Sequence, residues 1–167
     1  MKILIFTEGT ILMHKKAFGH SREEIINQVK EKEPSVHQYE SYLPIGKAVE
    51  KLKNWKLEGA EILYLTSRKK SEEIEEIQGV LNKQGFPKGK LLFRQDNESY
   101  KDIAERALPD ILIEDDCESI GGVKEMTISN VKPAIKKKIK SIEIKEFDGI
   151  DSLPDKISEL RHTDFRK

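Results

Sequence analysis

Short apolar runs and longer amphipathic stretches alternate along this chain. Residues 2–6 are apolar after Lys2 and lead into Thr7, Glu8, Gly9 and Thr10, which predicts a buried strand ending in a turn. Ser21, Arg22, Glu23 and Glu24 form a capping-box signature, and Ile25, Ile26 and Val29 follow at helical spacing. The stretch 33–42 is polar with scattered aromatics and reads as a loop or small insertion. Pro44 is then expected to open a helix. Its stripe is Ile45, Ala48, Val49, Leu52 and Trp55, and Gly59 closes it. Residues 61–65 predict the next strand, ending in Thr66, Ser67 and Arg68. Ser71 is expected to cap a helix with Ile74, Ile77 and Leu81 inward and Gly85 at its end. Residues 91–93 predict a third strand, and Ser99 the cap of a helix carrying Ile103, Ala104 and Ala107. Residues 111–113 predict a fourth strand, ending in Glu114, Asp115 and Asp116.

Strands alternating with amphipathic helices imply an α/β fold of three layers, a mainly parallel sheet with helices on both faces. Further strands are expected at 125–128 and 141–144. A last helix is expected from near Ser152, with Leu153, Ile157 and Leu160 on one face. The polar tail from Arg161 is expected to fray. No repeat or low-complexity linker interrupts the pattern, so residues 1–167 read as a single domain, with 14–42 a small cap insertion or loop.

Composition narrows the function classes. Thirty basic and thirty acidic side chains balance to zero net charge, which gives no global pull toward nucleic acid or membrane. The charged fraction of 36% exceeds the usual quarter and is rich in Lys and Glu, a bias shared with hyperthermophile proteins. A single cysteine, Cys117, excludes an intrachain disulfide and a cysteine-based zinc cluster. The N-terminal apolar run is too short for a signal peptide, and no stretch approaches membrane-spanning length. A cytoplasmic location is the expectation. The four histidines lack paired ligand spacing, and the basic run Lys136, Lys137, Lys138 and Lys140 reads as a solvated face.

In open parallel sheets, ligands bind beyond the carboxyl ends of the strands. Here those ends carry Thr7, Glu8, Gly9 and Thr10, then Thr66, Ser67 and Arg68, then Glu114, Asp115 and Asp116. Lys101 lies near the start of the helix feeding the fourth strand. Adjacent carboxylates repel unless a cation or donor offsets them, and a hard oxygen pair suits magnesium. Hydroxyls, backbone amides and a Lys can hold a phosphate. Together they form the inventory of a phosphoryl-transfer site.

These motifs resemble, in order, those of the haloacid dehalogenase-like (HAD) superfamily, in its phosphatase-like branch. The first is Phe6-Thr7-Glu8-Gly9-Thr10, where the family has Asp-x-Asp-Gly-Thr. The others are 62–68 ending in Thr66-Ser67-Arg68, then Lys101, then 111–116 ending in Glu114-Asp115-Asp116. The resemblance covers roughly residues 1–120. It implies a Rossmannoid fold with cap absent or minimal, Thr66, Ser67 and Lys101 as phosphate contacts, and Mg2+ as cofactor. The metal would be held by Asp115, Asp116 and the Glu8 backbone carbonyl, with Glu8 as acid/base.

One departure matters most. The family's nucleophilic Asp corresponds to Phe6, which has no lone pair to attack phosphorus or bind metal. The reading favoured is therefore a protein that binds Mg2+ and a small phosphorylated ligand after loss of the standard Asp-nucleophile chemistry. Two alternatives stay open, an active phosphohydrolase using metal-activated water and a protein-interaction scaffold. Neither membrane nor nucleic acid is an expected partner, and oligomeric state is not legible.

Overall fold

The computed structural model describes residues 1–162; the remainder of the tail expected to fray lies outside the described residues. Five parallel strands form the central sheet: β1 (Lys2–Phe6), β4 (Glu61–Leu65), β5 (Lys90–Leu92), β6 (Ile111–Asp115) and β7 (Lys140–Ile144). Their order is β5-β4-β1-β6-β7, so the chain builds outward from β1 to one side and then crosses to the other. β1 is thus central, hydrogen-bonded to β4 and β6, with Phe6 opposite Leu65 and Ile5 opposite Ile113. The site described below sits where this direction of winding reverses.

Alternation along β1 divides the core into two layers, because successive side chains of a strand point to opposite faces. Ile3 and Ile5 pack with Leu52 and Trp55 of α2 (Ala48–Leu57) and with Ile77 and Leu81 of α3 (Ser71–Lys83). Leu4 packs on the other face with Ile103 and Ala104 of α4 (Tyr100–Ala107). Phe6 belongs to this second face and meets Tyr100 edge-on, with ring centroids 5.1 Å apart. Full burial of each large apolar side chain contributes roughly 1.5–3 kcal/mol.

Several boundaries differ from the sequence reading. Pro44 does not open α2. It pairs with Leu12 across a two-stranded antiparallel ribbon of β2 (Leu12–Met13) and β3 (Leu43–Pro44), and the helix starts at Ala48. Proline lacks the N–H that a central strand needs, but a short ribbon tolerates it. Ser71 is the first residue of α3 rather than its cap; Lys70 holds the cap position without a side-chain bond, while Glu72 and Glu73 complement the helix dipole. The strand expected at 125–128 is instead a tight turn running into α5 (Thr127–Asn130), whose first amides bond the buried Glu114 carboxylate. α6 (Pro133–Lys136) follows with proline in its first turn. The final helix, α7 (Ile157–Leu160), begins later than Ser152, though Leu153, Ile157 and Leu160 are buried as expected. The capping boxes at Ser21 and Ser99 are both formed.

Segment 14–42 emerges between β2 and β3 and folds over the strand ends. It contains α1 (Arg22–Lys30) and three 3-10 turns, and Tyr39 and Tyr42 are buried within it. This is a minimal cap. Among the described residues no helix is long and apolar enough to cross a membrane.

Gly9 turns the chain out of β1 with φ +80°, and a Cβ there would lie 2.9 Å from Asp115 Oδ2. Gly9→Ala is therefore expected to cost about 1–3 kcal/mol from the backbone conformation alone. Urea denaturation measures this, and an unchanged midpoint would contradict it.

Candidate functional site

The ends of β1, β4, β6 and β7 converge on one cavity of about 520 Å³, lined among others by Phe6, Glu8, Arg68, Arg94, Asp115 and Glu146. The parallel register brings these residues together, since all the strands finish on the same edge of the sheet.

On the β6–β7 side stands a carboxylate cluster. Asp115, Asp116 and Glu146 each present an oxygen, and these atoms lie within 4.8 Å of one another. Asp115 and Glu146 are buried. Asp115 accepts hydrogen bonds from the Thr10 hydroxyl at 2.7 Å and the Cys117 amide at 3.0 Å. Glu146 accepts from the Ser119 amide and hydroxyl, both at 2.7 Å. Asp116 accepts from the Glu146 amide at 3.1 Å. Each of the four oxygens of Asp115 and Glu146 keeps a lone pair beyond the bond it accepts. Burial raises the pKa of both side chains, and the charge of Asp116 adds to the shift. Arg22, the first residue of α1, supplies the ion pairs on this side, reaching Asp116 at 3.4 Å and Glu118 at 2.5 Å. Its Nε also donates to the Glu146 carbonyl.

One guanidinium cannot neutralise three clustered acids together with Glu118 and Asp148, which it also faces at 3.9 Å. The donors are hard oxygens at the spacing a divalent cation spans, so the residues present fit such an ion. Asp115 and Asp116 stand where the sequence placed them. Glu146 was missed, although it lies just beyond a strand expected from the apolar pattern at 141–144. Reading the residues after that strand as well would have found it.

On the β1–β4 side the arrangement differs from expectation. The Glu8 carboxylate accepts from the Thr66 hydroxyl at 2.7 Å and the Ser67 hydroxyl at 3.2 Å, and pairs with Arg68 Nε at 3.2 Å. The Ser67 amide reaches it at 3.4 Å, and the Thr7 hydroxyl also meets it. Thr66 and Ser67 are the donors that the sequence reading reserved for a phosphate, and here the protein's own carboxylate accepts from them. Arg68 is committed further, bonding the Tyr39 hydroxyl with its guanidinium carbon 4.7 Å from the centre of that ring. Lys101 is half-buried in the first turn of α4 and does not line the cavity. Arg94, on the loop after β5, does line it.

Cys117 is held in its neutral thiol form, chiefly by burial and then by the charges of Asp115 and Glu114. His14 is buried and bonded to Gln28, and burial lowers its pKa.

No protein-family model matches this sequence, and no curated protein matches it significantly. Solved structures do. A class C acid phosphatase from Bacillus anthracis with tungstate bound superposes with a TM-score of 0.55 at 14% identity, over 96% of this chain and 77% of that one. The structure of a Pnkp1/Rnl/Hen1 complex gives 0.54 at 16% identity over 87% of this chain. This chain spans only 46% of the matched chain in that complex. At such identities the likeness is one of fold, a three-layer Rossmannoid α/β fold with a mainly parallel sheet and a minimal cap. On that fold sits an acidic cluster able to coordinate a metal ion.

Two tests follow from this geometry. Glu8→Ala leaves Arg68 and two hydroxyls without their acceptor, and should cost about 1–3 kcal/mol. That corresponds to a fall in Tm of roughly 2–12 °C, readable by calorimetry; no change would mean the carboxylate is not held in the cradle. The second concerns Glu114, whose pKa burial pushes up to about 7 against the opposing bonds from the Ile128 and Thr127 amides. The folded protein then retains a proton that the unfolded chain releases near the ordinary carboxylate value of about 4.3. This contribution is fully present below that value and is lost as pH rises through about 7. His14 contributes the opposite slope, so the measure is a difference. From about pH 5 to pH 7.5 the wild type should lose stability relative to Glu114→Gln, and parallel stability curves would refute the assignment.

Proposed function

We propose that this protein is a divalent-cation-dependent phosphohydrolase that uses water, rather than a side chain, as nucleophile. The observation that carries the proposal is the cluster of Asp115, Asp116 and Glu146, of which Asp115 and Glu146 line the same cavity as Arg68 and Arg94. Phe6 excludes a phospho-enzyme intermediate at the position its neighbours would require for one. A bound dication, Mg2+ being the expected one, lowers the pKa of water and neutralises charge on a phosphoryl group.

The chain's own residues would do the rest. Asp115, Asp116 and Glu146 hold the cation. Thr10 and Ser119 fix the orientations of Asp115 and Glu146 through the bonds already described. Burial raises the proton affinity of both carboxylates, and a bound cation would offset that shift and hold them ionised. Phe6, Tyr39, Tyr42 and Tyr100 give the cavity aromatic walls, suited to the organic part of a small phosphorylated ligand. Thr66 and Ser67 are phosphate donors in this scheme once Glu8 rotates away, and Glu8 is then free for the acid/base role its position suggests.

A second reading has its own support. Because Glu8 already fills the Thr66–Ser67–Arg68 cradle, the same site could hold a cation and ligand without turnover. Magnesium titration by calorimetry on wild type and Asp115→Asn, with a panel of phosphate esters on the same samples, separates the two. Binding and turnover, both lost in the variant and with no acid-stable phospho-enzyme, support the hydrolase. Binding without turnover supports the second reading. Absence of binding defeats both.

A further inference from the structure

The cavity contains three long basic side chains, and they are not equivalent. Lys32 is exposed on the minimal cap. Arg68 is saturated by Glu8, Ser67 and Tyr39. Arg94 is half-buried, and its guanidinium carbon lies 4.1 Å from the centre of the Tyr100 ring. Its Nε is enclosed and has no hydrogen-bond partner, and among the described residues no carboxylate pairs with it. It also borders a smaller hollow lined by Glu75 and Asp96, neither of which forms an ion pair with it.

A guanidinium held flat on an aromatic ring has lost much of its freedom, so little more is lost when its edge meets an oxyanion. The enclosed Nε cannot be reached from the cavity as it stands, so a ligand oxygen would meet the outer edge of the guanidinium. While Glu8 stays in the neighbouring cradle its charge repels an incoming anion, so a first contact falls to a group outside that cradle. Tyr100 also faces Ser67, Glu8 and Arg68, so Arg94 stands beside that cradle and not at a remote surface.

We infer that Arg94 is the residue that receives the anionic group of the cavity's ligand, the oxygens of a phosphate monoester or of free phosphate. It takes the place that order of motifs along the chain assigns to Lys101. This rests on reading the cavity as a site for a phosphorylated ligand, but does not require turnover. Arg94 approaches the ligand from the loop after β5, whereas Lys101 would approach from α4. The planar fork also favours two oxygens of one phosphate over a single charged atom.

The test is calorimetric titration of inorganic phosphate and phenyl phosphate into wild type, Arg94→Gln, Arg94→Lys and Lys101→Gln. Magnesium titration and thermal melts on each variant report whether the fold and the carboxylate cluster are intact. Arg94→Gln should weaken both phosphates by about tenfold or more, the loss of one charge-assisted pair, with magnesium binding retained. Arg94→Lys should recover part of that affinity. Wild-type affinity in Arg94→Gln overturns the inference, as does a larger loss in Lys101→Gln, or an absence of phosphate binding by the wild type up to about 50 mM. If wild type hydrolyses no ester but phosphate binding still depends on Arg94, the inference stands and the hydrolase reading falls.

Discussion

Carboxylates buried at the ends of neighbouring parallel strands are the constraint around which the rest of this site is arranged. Asp115 closes β6, and Glu146 lies just beyond β7, both largely out of water. Removing such charges from solvent is unfavourable unless donors or cations surround them. The surrounding structure supplies donors from separate parts of the chain: Thr10 after β1, the Cys117 amide in the turn after β6, and Ser119 further along that turn. Gly9 leaves the space that Asp115 needs. These contacts tie the strand ends together and leave the cluster with more negative charge than Arg22 can offset.

Glu8 resolves a second problem by different means. The hydroxyls of Thr66 and Ser67 and the Arg68 guanidinium form a cationic, donor-rich corner on the opposite side of β1. A carboxylate from the β1 turn reaches that corner and satisfies it internally. Glutamate is one methylene longer than the aspartate found at this place in the family it resembles. In this chain the acid therefore has the reach to act as an anion for its own cradle. The acidic cluster and the donor-rich corner thus flank the central strand, with Phe6 on the face that packs against Tyr100.

The insertion between β2 and β3 acts as more than a connection. It delivers Arg22 to the acidic cluster and Tyr39 to Arg68, so one segment braces both sides of the cavity. The aromatic residues scattered through a polar stretch make sense in this setting. Tyr39 and Tyr42 are buried because they cover the strand ends, although the stretch lacks a helical or strand-like period of its own.

Much of the architecture was determined by the sequence alone. Short apolar runs and period-3.6 apolar patterns define the parallel strands and their covering helices, and Ser21 and Ser99 mark two helix starts through local bonding. The residues that follow β1, β4 and β6 could be named as site candidates because a parallel sheet presents strand ends on one edge. Misplaced boundaries arose where local signals were weak: Pro44 fits a ribbon as well as a helix start, and the four residues Glu125 to Ile128, alternately polar and apolar, are too short a run to distinguish strand from helix. Tertiary structure alone decided the partners. Glu146 joins Asp115 only through the pairing of β6 with β7, and its amide donates to Asp116, thirty positions earlier in the chain. Glu8 turns toward Thr66, and Arg94 rather than Lys101 lines the cavity, because long side chains choose among contacts that exist only after the sheet has formed. Order along the chain specifies which strand end carries a charge; the direction in which that charge points is set by packing and by the cost of leaving it unpaired.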